Sequence, residues 1–286
     1  MFVKDYPLRN VTSLGVGGPA DFFVQPTTVN EVIQAQRFAL ERGYPLTVIG
    51  YGTNLLIRDG GIRGVVMQIA EPFAKAKIKG NRLTATTGCL MGSLSKLAYK
   101  HGLSGLEFAV GIPGGLGGAT FMNAGAYGGE IGSLVRSVQC VQNGILGNLD
   151  RDELSFRSSR FQSEQDKVIV TEVELELEAQ AQEVILHKMN DLQAQRRNKQ
   201  PLEYPSAGST FKRPAGHYVG PLIEQAGLKG LRIGGAEVST KHAGFLIKTG
   251  EATARDFLNL ITKIQEVILQ ESGVSLEPEI RILGED

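Results

Sequence analysis

The chain has 286 residues, 42% of them hydrophobic and 21% charged, an ordinary globular composition long enough for about two or three domains. Its 30 basic and 30 acidic residues balance, so bulk charge gives no ground for a nucleic acid or an anionic membrane as partner, and an anionic substrate needs a local cluster of cations. The start MFVKDYPLRN lacks the apolar core of a signal peptide, and no apolar run approaches the roughly 18 residues of a membrane span, so a cytoplasmic, soluble protein is expected.

In chain order, ADFFVQP reads as a strand ending at Pro26, followed by a helix over TTVNEVIQAQRFALERG. Thr28 and Glu31 have capping-box spacing, Gly43 supplies the stop, and Val32, Ala35, Ala39 and Leu40 form an apolar stripe. YPLTVIG and GVVMQI are strands on either side of the loop YGTNLLIRDGG. KAKIKGNRLTATTG predicts a hairpin turning at Gly80-Asn81-Arg82, and GSLSKLAYKHGL a helix. VRSVQCVQNGILGNLD predicts a second hairpin at Asn143-Gly144, and VIVTEVELELE alternates as a long strand. A polar helix from Gln182 to Lys199 leads to Pro201 and Pro205, which mark a boundary. Near the end, Phe257, Leu260, Ile261, Ile264, Val267 and Ile268 share one helix face, Gly273 stops that helix, and LEPEIRILG closes as a short strand. The class is α+β, in three lobes spanning 1–73, 74–200 and 201–286.

Cys89 and Cys140 match no CxxC spacing and read as small buried hydrophobes, and the four histidines are scattered with no HExxH, so no metal site is expected. Glycine is the unusual residue: of 36, ten fall between Gly105 and Gly132. Ordering glycine costs about 0.5–1 kcal/mol more than ordering alanine in regular structure, so this density points to a backbone that turns tightly or approaches something closely. GVGGPA from Gly15 fits the loosened GxGxxA pattern, but a strand follows it where a pyrophosphate needs a helix N-terminus, and no GxxxxGK[ST] exists. The turn Gly50-Tyr51-Gly52-Thr53-Asn54-Leu55 follows a buried strand. It reads either as an ordinary strand-end turn or as a nest of backbone N–H groups for a diphosphate. Together with the glycine-rich segment, it gives two loops able to clasp a long dinucleotide without a Rossmann helix.

GYGTNLLIRDGG, GIPGGLGGATFMNAGAYGGEI, PSAGSTFKRP, GGAEVSTKHAGF and LEPEIRI together resemble the UDP-N-acetylenolpyruvoylglucosamine reductase family, from about Asn10 to Gly284. The family's first loop is usually GxGSNLL; Thr53 stands here for the serine and keeps a hydroxyl. The resemblance implies a two-lobed FAD-binding domain of the vanillyl-alcohol-oxidase type with a C-terminal α+β substrate domain. It also implies noncovalent FAD, NADPH as reductant, and UDP-N-acetylglucosamine enolpyruvate as substrate. FAD contacts fall on Gly50, Tyr51, Gly52, Thr53, Asn54 and Leu55. In the second loop they fall on Gly111, Pro113, Gly114, Gly117, Gly118, Ala119, Asn123, Gly125 and Ala126. Arg157, Ser209 and Glu279 carry the catalytic roles. Arg157 is to hold the substrate carboxylate, Glu279 to steady the enolate, and Ser209 to deliver a proton with Lys212 supporting the alkoxide. Read without the resemblance, these are a surface cation, a turn hydroxyl and a solvated strand residue. Arg196, Lys199 and Arg213 are candidates for the diphosphate or for NADPH. With no inserted loop before the serine motif and a short tail after EPEIR, the chain matches the compact type II form. The alternative is an oxidase of alcohols or sugars on the same fold. Many of these tether flavin through a histidine near the first loop, and here no histidine precedes His101.

Overall fold

The computed structural model describes residues 2–150, 154–155, 158–159 and 168–286. The chain clusters into two compact units, both discontinuous in sequence. The first comprises Met1–Lys4, Phe22–Tyr51 and Gly64–Arg196, and the second Asp5–Asp21, Gly52–Arg63 and Arg197–Asp286. The three consecutive lobes expected from the sequence do not map one-to-one onto these units, because two early segments belong with the C-terminal one. No helix among the described residues is long and apolar enough to cross a membrane.

Strands β1 (Val3–Pro7), β2 (Pro19–Val24), β3 (Leu46–Ile49) and β5 (Ile62–Gln68) form a sheet of order β1-β2-β5-β3, with β3 parallel to β5; β4 (Leu55–Ile57) lies outside it. Helix α1 (Val29–Arg42) buries Val32, Ala35 and Ala39 in the first unit. Its caps fall where the sequence puts them. Thr28 Oγ1 accepts the Glu31 amide at 3.3 Å, and Gly43 ends the helix in the left-handed region at φ 65°. The expected apolar stripe needs one correction, since Leu40 is 55% exposed while Gln36 is 1% exposed. Gln36 goes inside because its side-chain carbonyl accepts the Gly144 amide at 2.6 Å, which satisfies a buried polar group.

A five-stranded antiparallel sheet follows, built from β6 (Ala76–Lys79), β7 (Arg82–Thr86), β8 (Val135–Gln142), β9 (Ile145–Asp150) and β10 (Val168–Glu176), in the order β9-β8-β10-β7-β6. Both hairpins have two-residue turns, at Gly80-Asn81 and Asn143-Gly144, and Asn143 and Gly144 take φ of 50° and 73°, the type I′ signature. Val173 and Leu175 of β10 join helix α2 (Met91–Lys100) in a core with Leu83, Met91 and Leu94. Short helix α3 (Leu116–Phe121) and the long polar α4 (Gln182–Lys199) complete the first unit's described elements used below.

Glu107 is a buried carboxylate of this unit, 2% exposed. It accepts from Ser104 Oγ at 2.6 Å and from the Gly105 amide at 3.0 Å, with Lys188 Nζ at 3.5 Å. Burial pushes its carboxyl up, but these hydrogen bonds and Lys188 outweigh it and hold it below its usual 4.5. A depressed folded-state value means that the stabilisation is complete above the unfolded value and is lost as pH falls through the folded one. Glu107→Gln turns an amide N–H or loses an acceptor toward two donors, and is expected to cost about 1–3 kcal/mol at pH 7. The gap to wild type in urea midpoint should narrow below about pH 4. An equal gap at pH 7 and pH 3 would mean that the charge contributes nothing.

In the second unit, β11 (Ser206–Ser209), β12 (Arg232–Ile233), β13 (Ala236–Val238) and β14 (Phe245–Lys248) form a sheet of order β11-β14-β13-β12. Helix α5 (Ala254–Ser272) buries Phe257, Leu260, Ile261, Ile264 and Ile268, the expected face, with Val267 at its margin. A Thr253–Asp256 capping box starts it and Gly273 at φ 70° ends it. Leu14, Val16 and Leu56 enter this same core, which explains why their segments leave the first unit. Strand β15 (Arg281–Leu283) pairs parallel with β4, Arg281 opposite Leu55.

Candidate active site

In the second unit, the residues from Gly52 onward are fixed from two sides. Gly52 has φ 66°, and a Cβ there would collide with the Val11 carbonyl oxygen, so only glycine fits. Its carbonyl accepts from the Ser13 amide at 3.2 Å, and Ser13 Oγ lies 2.6 Å from the carbonyl of Ser206 on β11. Ser13 thus joins the first glycine loop to the strand that ends at Ser209. The sequence carried no local sign of it, because its partners lie 39 and 193 residues away.

Beyond Ser209 the chain runs against the EPEIR segment. The Glu279 amide donates to the Thr210 carbonyl at 2.8 Å, and the Lys212 amide to Glu277 at 2.8 Å, with Phe211 opposite Pro278. Asn54 closes the set: its side-chain amide donates to the Glu279 carbonyl at 3.3 Å, and its own carbonyl accepts the Arg281 amide at 2.9 Å. The backbones at Gly52–Asn54, Ser206–Thr210 and Glu279 are therefore one hydrogen-bonded assembly. Ser209 and Glu279 are each half-buried. Arg157 lies outside the described residues. Thr53 and Leu55 sit within the assembly's first loop, Leu55 as the first residue of β4.

The cations expected here behave differently. Lys212 Nζ is 2.9 Å from Glu277, both side chains exposed, and this partner holds the Glu277 carboxyl down. Arg213 stacks 3.8 Å over the Tyr218 ring and donates to the His217 carbonyl. Lys199 is exposed.

In the first unit, Gly50 accepts from Gln68 Nε2 at 3.0 Å. The second glycine loop lies on the turn Thr87–Leu90: Met91 donates to Gly114, Leu116 to Cys89, and Gly117 to Thr87, at 2.8–3.0 Å. Several of the expected FAD contacts also pack within the loop. A Cβ at Gly117 would sit 2.9 Å from Thr87 Cβ, Ala119 is in the core, and Asn123 is fully buried with Oδ1 accepting the Gly132 amide at 2.7 Å. Gly125 and Ala126 pair with Gly129–Glu130, where a Cβ on Gly125 would lie 2.7 Å from Gly129 O. Gly118 is the contrast: beyond its own helix, no heavy atom of the described residues lies within 4 Å of where its Cβ would be. Pro113 and Gly114 precede it, Gly114 at φ 106°. Arg196 lies along Gly111, where a Cβ would sit 2.7 Å from Arg196 Cδ. It is half-buried; burial pushes its guanidinium down, Tyr127 opposes this, and no carboxylate of the described residues pairs with it.

Residues 20–144 match the family model described as an FAD binding domain, and residues 200–283 match the C-terminal domain of UDP-N-acetylenolpyruvoylglucosamine reductase. The chain is 46% identical to the UDP-N-acetylenolpyruvoylglucosamine reductase of Exiguobacterium sibiricum, over 98% of this chain and 92% of the relative. The chain belongs to the UDP-N-acetylenolpyruvoylglucosamine reductase family. The Clostridioides difficile reductase of the same name is 44% identical over 99% of this chain and 93% of its own. The crystal structure of the Thermus caldophilus reductase superposes with a TM-score of 0.85 at 35% identity, covering 99% of this chain and 98% of the other. The expected α+β class holds, with an FAD-binding domain and a C-terminal α+β domain, and the chain is an FAD-containing oxidoreductase. The residues present fit that group: among the described residues, Gly118 leaves open space where a side chain would project, and Gly52 allows a turn no other residue allows.

Proposed function

We propose that the chain reduces UDP-N-acetylglucosamine enolpyruvate to UDP-N-acetylmuramate in the cytoplasm, with NADPH as the reductant, as a compact type II member of its family. The Gly50–Leu55 and Gly111–Ala126 segments would hold FAD noncovalently, and the flavin, once reduced by NADPH, would supply a hydride for the enolpyruvyl methylene carbon. The negative charge that develops falls on the neighbouring carbon and its carboxylate. Arg157, always protonated and planar, holds that carboxylate in a bidentate way. Glu279, in its protonated form, donates to the enolate oxygen. Ser209 keeps its proton at neutral pH and delivers it to the carbanion from one face. The resulting alkoxide needs a cation. Lys212 reaches that role by exchanging Glu277, an exposed and therefore weak pairing. Arg196, desolvated and without a carboxylate partner among the described residues, is suited to a phosphate of the dinucleotide or substrate, and Lys199 and Arg213 are further candidates.

The observation that carries this assignment is the hydrogen-bonded assembly of Gly52–Asn54 with Thr210 and Glu279. It joins the first glycine loop to the two segments bearing Ser209 and Glu279. Anaerobic addition of NADPH to the purified protein should bleach its flavin bands, and the enolpyruvyl sugar nucleotide should restore them with formation of UDP-N-acetylmuramate. Bleaching by NADPH that only oxygen reverses would favour an oxidase instead.

A further inference from the structure

We propose that Tyr51 is a positioning residue that holds the second glycine loop in register with Gly50 and the end of β3, through the Thr87–Leu90 turn. Its phenol donates to the Gly88 carbonyl at 2.8 Å. Its ring packs close against the other loop's backbone, since a Cβ at Gly115 would be 2.9 Å from Tyr51 Cε2 and 3.2 Å from Cδ2. Glycine at 115 is what allows that approach.

The turn that Tyr51 reaches is itself anchored. Thr87 Oγ1 donates to the Val170 carbonyl at 2.8 Å, tying it to β10. A Cβ on Gly88 would collide with the Ala70 carbonyl oxygen, so the turn is pressed onto that segment as well. From this base the carbonyls of Thr87 and Cys89 hold the amides of Gly117 and Leu116, while Met91 holds Gly114. On the other side, Gly50 is held by Gln68, whose Oε1 accepts from Gln25 Nε2 at 2.6 Å. Tyr51 is thus the side chain that crosses from one fixed backbone to the other. Burial, then Glu71 and Cys89, push its phenol up, so it remains a protonated donor throughout the physiological range. Fixing both loops before the ligand arrives removes part of the ordering cost that binding otherwise carries.

This inference rests on the assignment of both loops to FAD, and the test separates the two. Apo forms of the full-length chain are titrated with FAD for wild type, Tyr51→Phe, Tyr51→Ala and Gly118→Val, with amide hydrogen exchange of residues 114–118 followed in each apo protein. Tyr51→Phe removes one hydrogen bond and should raise the FAD Kd about two- to tenfold. Tyr51→Ala, which also removes the ring, should raise it about ten- to a hundredfold. In both variants the Leu116 and Gly117 amides should exchange faster than in wild type. FAD binding and exchange unchanged in Tyr51→Phe overturn the proposal, and this arm stands even if Tyr51→Ala fails to fold. A lowered unfolding midpoint with unchanged Kd overturns it too, as a purely structural role. Normal binding by Gly118→Val would instead remove the loop assignment on which it rests.

Discussion

Ser209→Ala protein is expected to accept electrons from NADPH at close to the wild-type rate and to pass them to the enolpyruvyl sugar nucleotide at least about 10²-fold more slowly, within the 10²–10⁴ range of a positioned acid. The asymmetry follows from where the proton goes. Reduction of the flavin needs no donor to the sugar nucleotide, whereas quenching of its carbanion does. The substitution should leave the neighbourhood intact, because the contacts that fix this strand are made by backbone: Thr210 to Gly244 at 2.9 Å, and Glu279 to Thr210 at 2.8 Å. Stopped-flow measurement of each half-reaction reads the two rates separately. Equal slowing of both would show that Ser209 holds structure or flavin, and the proton would have to come from elsewhere.

Gly118→Val is expected to yield a folded but colourless protein, its FAD Kd raised by at least about a hundredfold. The described residues tolerate the change, since beyond the helix's own backbone none of them places a heavy atom within 4 Å of the new Cβ. What the side chain fills is the open space beside α3, and there it meets the ligand. Gly117→Val is the informative neighbour: its Cβ would lie 2.9 Å from Thr87 Cβ, so it should lower the unfolding midpoint as well as flavin content. Full flavin occupancy and a normal visible spectrum in Gly118→Val would show that this loop does not face the cofactor.

Much of the fold was legible because its signals are local. The turns at Gly80-Asn81 and Asn143-Gly144, the Thr28 and Gly43 caps, the bounds of α4 and the buried face of α5 each follow from residues a few positions apart. Leu40 and Gln36 exchanged places because Gly144, far along the chain, offered Gln36 a hydrogen bond. The same cause hid the joining of Asp5–Asp21 and Gly52–Arg63 to the C-terminal segment: Ser13, Leu14 and Leu56 find their partners beyond residue 200. Within the candidate site, glycine density pointed to the two loops on physical grounds. Arg157, Ser209 and Glu279 came from motif resemblance alone, since a serine in a turn and a glutamate on a short strand announce no chemistry. Which glycines face open space and which face Thr87 depends on the neighbours of each Cβ, and no spacing rule carries that.

The bond from Asn54 to Glu279 spans 225 positions of sequence. On a ribosome adding about 5–20 residues per second, the first glycine loop emerges roughly ten to fifty seconds before the strand that completes it. Through that interval Leu55–Ile57 is a strand without its parallel neighbour, and the backbone of Gly52–Asn54 lacks half of its support. Distant pairings of this kind close late, since the entropy of bringing the ends together is lost before any contact rewards it. The nascent chain is therefore expected to order its first glycine loop and its Glu279 backbone late and together.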